Sequence, residues 1–87
     1  PNAVRRDWAE RGFSCELWED PPGREWNDFV HPGDEPVMVI EGDVEFEVAG
    51  KTHRPRPGEE VFIPRGANHS VRNVGKTRAT WLFGYNS

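Results

Sequence analysis

The sequence predicts an all-β domain, an antiparallel sandwich or barrel preceded by a short helix. Apolar residues recur with a period of two in several short segments, which is the pattern of half-buried strands. Glycine and proline clusters separate these segments at intervals of about 8–12 residues, a spacing typical of antiparallel folds. A chain of 87 residues has room for one such unit, so we expect residues 1–87 to form a single domain.

The composition argues against several classes of protein. The net charge is −4, whereas a nucleic-acid partner requires an excess of Lys and Arg to neutralise phosphates. The sequence lacks both the run of about 18 apolar residues that a transmembrane helix needs and a charged-then-apolar leader. We therefore expect a cytoplasmic protein with no membrane partner. The single cysteine, Cys15, cannot form an internal disulfide, so a metal, a closed sheet or a dimer partner would help to stabilise so small a core.

The N-terminal segment predicts a short helix over residues 3–11. Asn2 is a suitable N-cap and Gly12 a suitable terminator. Val4 and Trp8 are four residues apart, so they share one helix face and form its apolar contact surface.

After the helix the period changes to two. Phe13, Cys15 and Leu17 alternate with polar residues and Trp18, which predicts a strand whose Phe13–Cys15–Leu17 face is buried. The Asp-Pro-Pro-Gly segment at 20–23 ends it, because proline cannot donate to a sheet.

Seven further strands are expected from the alternation and the turns. Val44, Phe46 and Val48 give the clearest amphipathic strand. Residues 36–40 are apolar on both faces, so the row formed by Met38 and Ile40 must be covered by the second sheet or by another subunit. The seven predicted strands span 24–31, 36–40, 43–48, 51–54, 61–63, 69–73 and 78–85.

Two histidines and one glutamate form the candidate metal site. His31 and Glu35 flank the tight turn at 32–34, and His69 follows a strand that proline and glycine terminate. Two imidazoles and one carboxylate are the ligands of a divalent metal that keeps positions open for substrate. Each has a structural interpretation as well, since His31 could bond a loop carbonyl and His69 could be a core histidine. Glu35 precedes a buried strand, where a carboxylate needs a partner or a cation.

The spacing of these residues resembles the two motifs of the cupin superfamily. The second motif, G-x5-P-x-G-x2-H-x3-N, is complete at Gly58, Pro64, Gly66, His69 and Asn73. The first motif, G-x5-H-x-H-x(3,4)-E-x6-G, is matched at Gly23, His31, Glu35 and Gly42. Phe29 stands in the place of the first histidine, and a phenyl ring cannot bind a metal.

The resemblance implies a jelly-roll β-barrel or sandwich with a divalent metal, Fe, Mn, Zn or Ni, bound by His31, Glu35 and His69. It also implies a small-molecule ligand and, together with the Met38–Ile40 row, a homodimer. Because Phe29 replaces a ligand, one coordination position goes to water or substrate, or the metal site is lost. Cupins include enzymes and binding proteins, so the fold alone does not define the chemistry.

Four aromatic residues are candidates for the substrate-binding wall. Their rings could line a pocket for an apolar or aromatic ligand, or could simply fill the core. They are Trp26, Phe29, Phe46 and Trp81. No catalytic nucleophile is indicated, because Cys15 is distant in sequence from any histidine and Ser70 points away from His69 on a strand.

Three functions are compatible with these observations. The first is a metal-dependent oxygenase or isomerase of a small molecule. The second is a metal-free or vestigial barrel that binds a sugar or an aromatic acid as a sensor or auxiliary module. The third is a structural module that dimerises through the Met38 face. The sequence identifies neither the metal, the substrate nor the reaction.

Overall fold

A computed structural model describes residues 2–30 and 32–86. In this part of the chain one helix precedes eight strands. They are α1 (Asn2–Glu10), β1 (Glu16–Asp20), β2 (Glu25–Phe29), β3 (Glu35–Glu41), β4 (Val44–Val48), β5 (Lys51–His53), β6 (Glu60–Ile63), β7 (His69–Asn73) and β8 (Ala79–Phe83). No helix among these residues is long and apolar enough to span a membrane.

The strands form two four-stranded antiparallel sheets. One has the order β1-β8-β3-β6 and the other β2-β7-β4-β5. Along the chain, successive strands mostly switch from one sheet to the other, so strands that are neighbours in a sheet are mostly distant in sequence. This is the arrangement of a jelly roll. The predicted all-β fold is therefore confirmed. Its core lies between the inner faces and includes Val37, Val39, Phe46 and Trp81.

Strand β4 shows how the alternation builds the second sheet. Val44, Phe46 and Val48 are buried, as predicted. Glu45 and Glu47 lie on the outer face, where both accept hydrogen bonds from the guanidinium of Arg72 on β7, at 2.8 and 3.2 Å. The outer face is thus polar and the inner face apolar, which sets the register of the strand.

The outer row of β3 is covered by the helix of the same chain. Trp8 is fully buried in a second cluster with Cys15 and Leu82, against which Met38 and Ile40 pack. The predicted helix and the burial of Cys15 are confirmed. The prediction that the second sheet or another subunit covers Met38 and Ile40 was wrong, because α1 of the same chain packs against them. The homodimer therefore stays a prediction without this support.

The first strand begins later than expected and buries a different face. It spans Glu16–Asp20, and Leu17 is 49% exposed. Trp18 is on the same face of the strand as Asp20, which is buried. The prediction that Leu17 faces the core was wrong, because pairing of β1 with β8 sets the orientation of the strand and places Trp18 opposite Trp81.

Gly42 occupies a site where the backbone and its neighbours both require glycine. Its φ is +99°, and an added Cβ would lie 2.8 Å from the Cα of Ala79. Gly58 has a similar φ of +92° with open space around it.

We expect Gly42→Ala to lower the free energy of unfolding by about 2 kcal/mol and Gly58→Ala by about 1 kcal/mol, because only the first adds a clash to the backbone strain. Urea denaturation of both variants checks this. Equal losses would contradict the close approach at Ala79.

Candidate functional site

A cavity of about 210 Å³ opens among side chains from both sheets. Its wall is mainly aromatic, and the polar side chains gather at Glu35 and His69. The described residues that line it are Trp18, Trp26, Phe29, Glu35, His69, Val71, Trp81, Phe83 and Tyr85.

Glu35 and His69 meet at this cavity from opposite sheets. Glu35 is the first residue of β3, and His69 is the first residue of β7. Oε1 of Glu35 lies 3.4 Å from Nε2 of His69, and the two residues are only 3% and 4% exposed. Nδ1 of His69 lies 3.3 Å from the carbonyl oxygen of Ala67. A carbonyl oxygen can only accept, so in the neutral ring this hydrogen bond requires the proton on Nδ1 and leaves the lone pair of Nε2 directed to Glu35.

Burial controls the charge of Glu35. Loss of solvation raises the pKa of its carboxyl to about 7, because the ionised form is stabilised by water that the site excludes. Near neutral pH the side chain therefore exists in both protonation states. Burial and the nearby carboxylates of Glu35 and Glu16 raise the pKa of Tyr85 to about 12, so its hydroxyl stays protonated.

Phe29 lines the cavity next to His69. Their ring centroids are 6.1 Å apart, and the two residues are register partners of β2 and β7. A bulge at Asp28, whose φ is +58°, adds one residue between Phe29 and Trp26. Because of this extra residue, Phe29 and Trp26 lie on the same face although simple alternation would separate them.

The other predicted aromatic residues divide into two groups. Trp26 and Trp81 line the cavity with Phe29, whereas Phe46 does not. Phe46 is fully buried in the core, with its ring 5.7 Å from that of Trp81. Its placement in the substrate wall is thus corrected, because β4 directs it between the sheets behind Trp81.

Sequence reasoning missed several residues of the site. The alternation predicts Trp18 on the outer side of the first strand, and the Asp-Pro-Pro-Gly segment predicts a turn at Asp20. Phe83 and Tyr85 share a strand face with Trp81, and this alternation was a signal that they belong to the same wall. Nothing in the local pattern distinguished Asp20, whose role depends on contacts with distant strands.

The comparison with known families agrees with this geometry. A family model described as a cupin domain matches residues 16–85, which is most of the chain. The chain belongs to the cupin family.

Two curated relatives match this cupin over part of their length. "Polyketide synthase CurC" of Streptomyces cyaneus is 35% identical over 63 residues, which are 71% of this chain and 41% of the relative. "Oryzines biosynthesis cluster protein J" of Aspergillus oryzae is 40% identical over 58 residues, which are 55% of this chain and 32% of the relative. The chain thus spans less than half the length of each.

A solved structure of oxalate oxidase in complex with the substrate analogue glycolate is also similar. It superimposes with a TM-score of 0.78 and 31% sequence identity over 88% of this chain and 43% of that chain. The likeness extends over both sheets of the cupin, so the jelly roll is shared with an enzyme that acts on a small molecule.

The geometry of Glu35 and His69 fits two ligand positions of one metal ion. Donors at about 2.0–2.2 Å from a zinc-like ion lie roughly 3.0–3.6 Å apart when they occupy neighbouring positions. The 3.4 Å between Oε1 of Glu35 and Nε2 of His69 is within this range. His31, the third predicted ligand, lies outside the described residues. Within residues 2–30 and 32–86 no group of three or more His, Cys, Asp and Glu side chains could hold a metal ion.

Asn73, the last residue of the second motif, has a structural role. Its Nδ2 donates to the carbonyl oxygens of Thr77 and Asp20, at 2.9 and 3.2 Å, and its Oδ1 accepts from the backbone N–H of Gly75 at 3.0 Å. These bonds tie the turn after β7 to the end of β1. The side chain thus links the two sheets and does not line the cavity.

Proposed function

We propose that this cupin is a metal-dependent enzyme, an oxygenase or an isomerase, that acts on a small molecule bound in the aromatic cavity. The observation that carries the proposal is the 3.4 Å approach of Glu35 Oε1 to His69 Nε2 in the wall of that cavity. A buried carboxylate and imidazole at this distance are suited to share one cation, and a cavity beside them provides room for a substrate.

The proposed ligands of the divalent metal, Fe, Mn, Zn or Ni, are His31, Glu35 and His69. Such a metal supplies polarisation of a carbonyl group or activation of dioxygen. The hydrogen bond from His69 Nδ1 to Ala67 orients the ring for this role, as outer-shell bonds do for ligating histidines. Phe29 presents an apolar ring where the family has a further histidine, and a phenyl ring cannot bind a metal, so one coordination position would go to water or substrate.

The names of the relatives support a small organic molecule as substrate. The oxalate oxidase structure holds glycolate, and the two curated relatives are named for polyketide and oryzine biosynthesis. The wall of this cavity is largely aromatic, so the substrate that we propose has an apolar part as well as a group that reaches Glu35 and His69. We further propose a cytoplasmic location for this chemistry.

The test is the metal content of protein purified without chelator. We expect about one divalent ion per chain in the wild type. His69→Ala should weaken metal binding by about 100-fold or more, since loss of an outer-shell partner alone typically costs roughly 10–100-fold. Elemental analysis and a competition titration with a fluorescent chelator measure this, and His31→Ala should behave in the same way.

His53→Ala is the matched control. His53 lies on β5, opposite Phe46, and does not line the cavity. Its replacement likewise removes one imidazole and should leave the metal content unchanged. If wild-type protein holds well under one equivalent and His69→Ala matches His53→Ala in metal affinity, the metal-dependent function is wrong.

The second candidate function is a metal-free barrel that binds a small ligand as a sensor or auxiliary module. The observation that favours it is Phe29, whose ring stands 6.1 Å from that of His69 in place of the first motif histidine. In this case elemental analysis finds no metal in the wild-type protein. A small aromatic acid still raises the melting temperature of the protein in excess chelator.

A further inference from the structure

The side chain of Asp20 accepts hydrogen bonds from three tryptophans. The Nε1–H of Trp18 lies 2.9 Å from Oδ1, that of Trp81 lies 3.0 Å from Oδ2, and that of Trp26 is shared between the two oxygens at 3.1 and 3.2 Å. Asp20 itself is 3% exposed. A buried carboxylate thus has its acceptor sites directed to indole donors.

These bonds connect the two sheets behind the cavity. Trp18 and Trp81 are register partners on β1 and β8 of one sheet, whereas Trp26 lies on β2 of the other. All three indoles line the cavity, but Asp20 does not. The carboxylate is therefore bonded to residues of the cavity wall without being part of that wall.

This arrangement removes three hydrogen-bond donors from the cavity wall. An indole has one N–H and no acceptor, so a tryptophan whose N–H bonds to Asp20 presents only its ring to a ligand. The other polar side chains among the described lining residues are Glu35, His69 and Tyr85. The described part of the wall is therefore apolar where the tryptophans lie and polar where Glu35, His69 and Tyr85 lie.

We propose that Asp20 is a positioning residue that orients the three indoles, and that the cavity consequently selects a flat, apolar ring system with one polar end. The polar end is directed to Glu35 and His69. This inference rests on the proposed function, since it names the ligand class of the same cavity. It predicts that such a ring binds in preference to a sugar, one of the ligands that the sequence left open.

Desolvation is the reason for the selectivity. A sugar can stack the C–H bonds of its ring on an indole, but its hydroxyl groups lie around the ring edge and need hydrogen-bond partners there. The three indole N–H groups bond to Asp20, so hydroxyls buried beside them would lose their bonds to water without gaining a partner. A planar apolar ring loses nothing in the same place and stacks on the indoles. Fixed rings also bind with less loss of side-chain freedom than mobile ones.

The first measurement follows the indole N–H resonances by NMR. Asp20→Asn retains the shape of the side chain but has one acceptor oxygen, and its amide NH2 group is a donor that faces the indole donors. We expect the resonances of Trp18, Trp26 and Trp81 to shift in this variant. Trp8 donates to Glu60 at 3.1 Å and is the internal control, because its resonance should move in Glu60→Gln and stay in Asp20→Asn.

The second measurement compares two probes, 2-naphthol and methyl β-glucopyranoside, in excess chelator. We expect wild-type protein to bind 2-naphthol at least about tenfold more tightly, and Asp20→Asn to lose about tenfold in 2-naphthol affinity, an effect typical of residues that shape a buried contact. Because chelator is present, the result is independent of the metal content that tests the proposed function. Binding of neither probe, or equal affinity for both, overturns the inference.

A further pair of variants applies if Asp20→Asn does not fold. Trp18 is 42% exposed, so its replacement is tolerated better than that of a core residue. Trp18→Phe retains an aromatic ring without the N–H and should bind 2-naphthol within about threefold of wild type, whereas Trp18→Ala should lose about tenfold. Equal losses in both variants would mean that an aromatic ring at position 18 does not contribute to binding, and the inference would be wrong.

Discussion

Trp8→Ala is expected to lower the free energy of unfolding by about 3–5 kcal/mol, the cost typical of removing a large aromatic side chain from a core. Small domains are stable by only about 5–15 kcal/mol, so this loss is a large part of the total. The melting temperature should fall by at least about 12 °C, since each kcal/mol corresponds to roughly 4–8 °C in a domain of this size. Urea and thermal denaturation followed by circular dichroism measure both quantities.

The size of this effect comes from the position of Trp8 between the helix and the first sheet. It is fully buried, it contacts Cys15 and Leu82, and its indole N–H donates to Glu60 on β6. Arg11 forms two further hydrogen bonds with the carboxylate of Glu60, at 2.7 and 2.8 Å. Removing the indole therefore leaves a cavity and also removes the main apolar contact between the helix and the outer face of the first sheet.

Leu17→Ala is the matched control for Trp8→Ala. Leu17 is a large apolar residue of β1 that is 49% exposed, so its truncation should change the free energy of unfolding by less than about 1 kcal/mol. If Trp8→Ala costs no more than Leu17→Ala, the helix does not contribute to the core, and the outer row of β3 must be covered in another way.

Glu35→Gln is expected to stabilise the metal-free protein by about 3 kcal/mol above pH 7 and to have little effect near pH 4. Its carboxyl has a pKa of about 7 in the folded state against an ordinary value of 4.5 for a solvated glutamate, and each unit of difference corresponds to about 1.4 kcal/mol. Glutamine fills the same space and carries no charge, so it does not lose solvation as the ionised glutamate does.

The sign of this pH dependence follows from which state holds the proton. Between about pH 4.5 and pH 7 the unfolded chain ionises at Glu35 while the folded chain stays protonated there, so wild-type stability falls as pH rises. Above the pKa of the folded state, Glu35 is ionised in both the folded and the unfolded chain, and the loss of stability is complete. The advantage of Glu35→Gln should therefore grow over this window and then level off.

The measurement is urea denaturation in excess chelator at several pH values, because a bound metal would stabilise the ionised carboxylate. Glu41→Gln, at the exposed end of the same strand, is the matched control and removes an equal charge without removing a buried group. If the two variants have the same stability difference from wild type at all pH values, burial does not control the titration of Glu35.

Much of the fold could be predicted from local patterns. The alternation of Val44, Phe46 and Val48 predicted β4, and the proline and glycine turns separated the strands correctly. The helix was predicted from its cap residues and the spacing of Val4 and Trp8. Such signals depend on the few residues on either side, which determine which face of a strand or helix is apolar.

The site could be predicted only in part. The motif spacing placed Glu35 and His69 together, and the structure brings them to 3.4 Å. The spacing did not predict the bulge at Asp28, which turns Phe29 to the same face as Trp26. A bulge depends on the partner strand as well as on the strand itself, so it has no signature in a single segment.

By itself the sequence determined the kind of domain, the succession of its strands along the chain and the candidate metal ligands. The tertiary structure decided which side chains meet, as when Trp81 donates to Asp20 from 61 residues away. It also decided that the helix covers Met38 and that Phe46 lies behind the cavity wall. The physical reason is that alternation along a strand is a local property, whereas contacts across the sandwich depend on how two sheets pack.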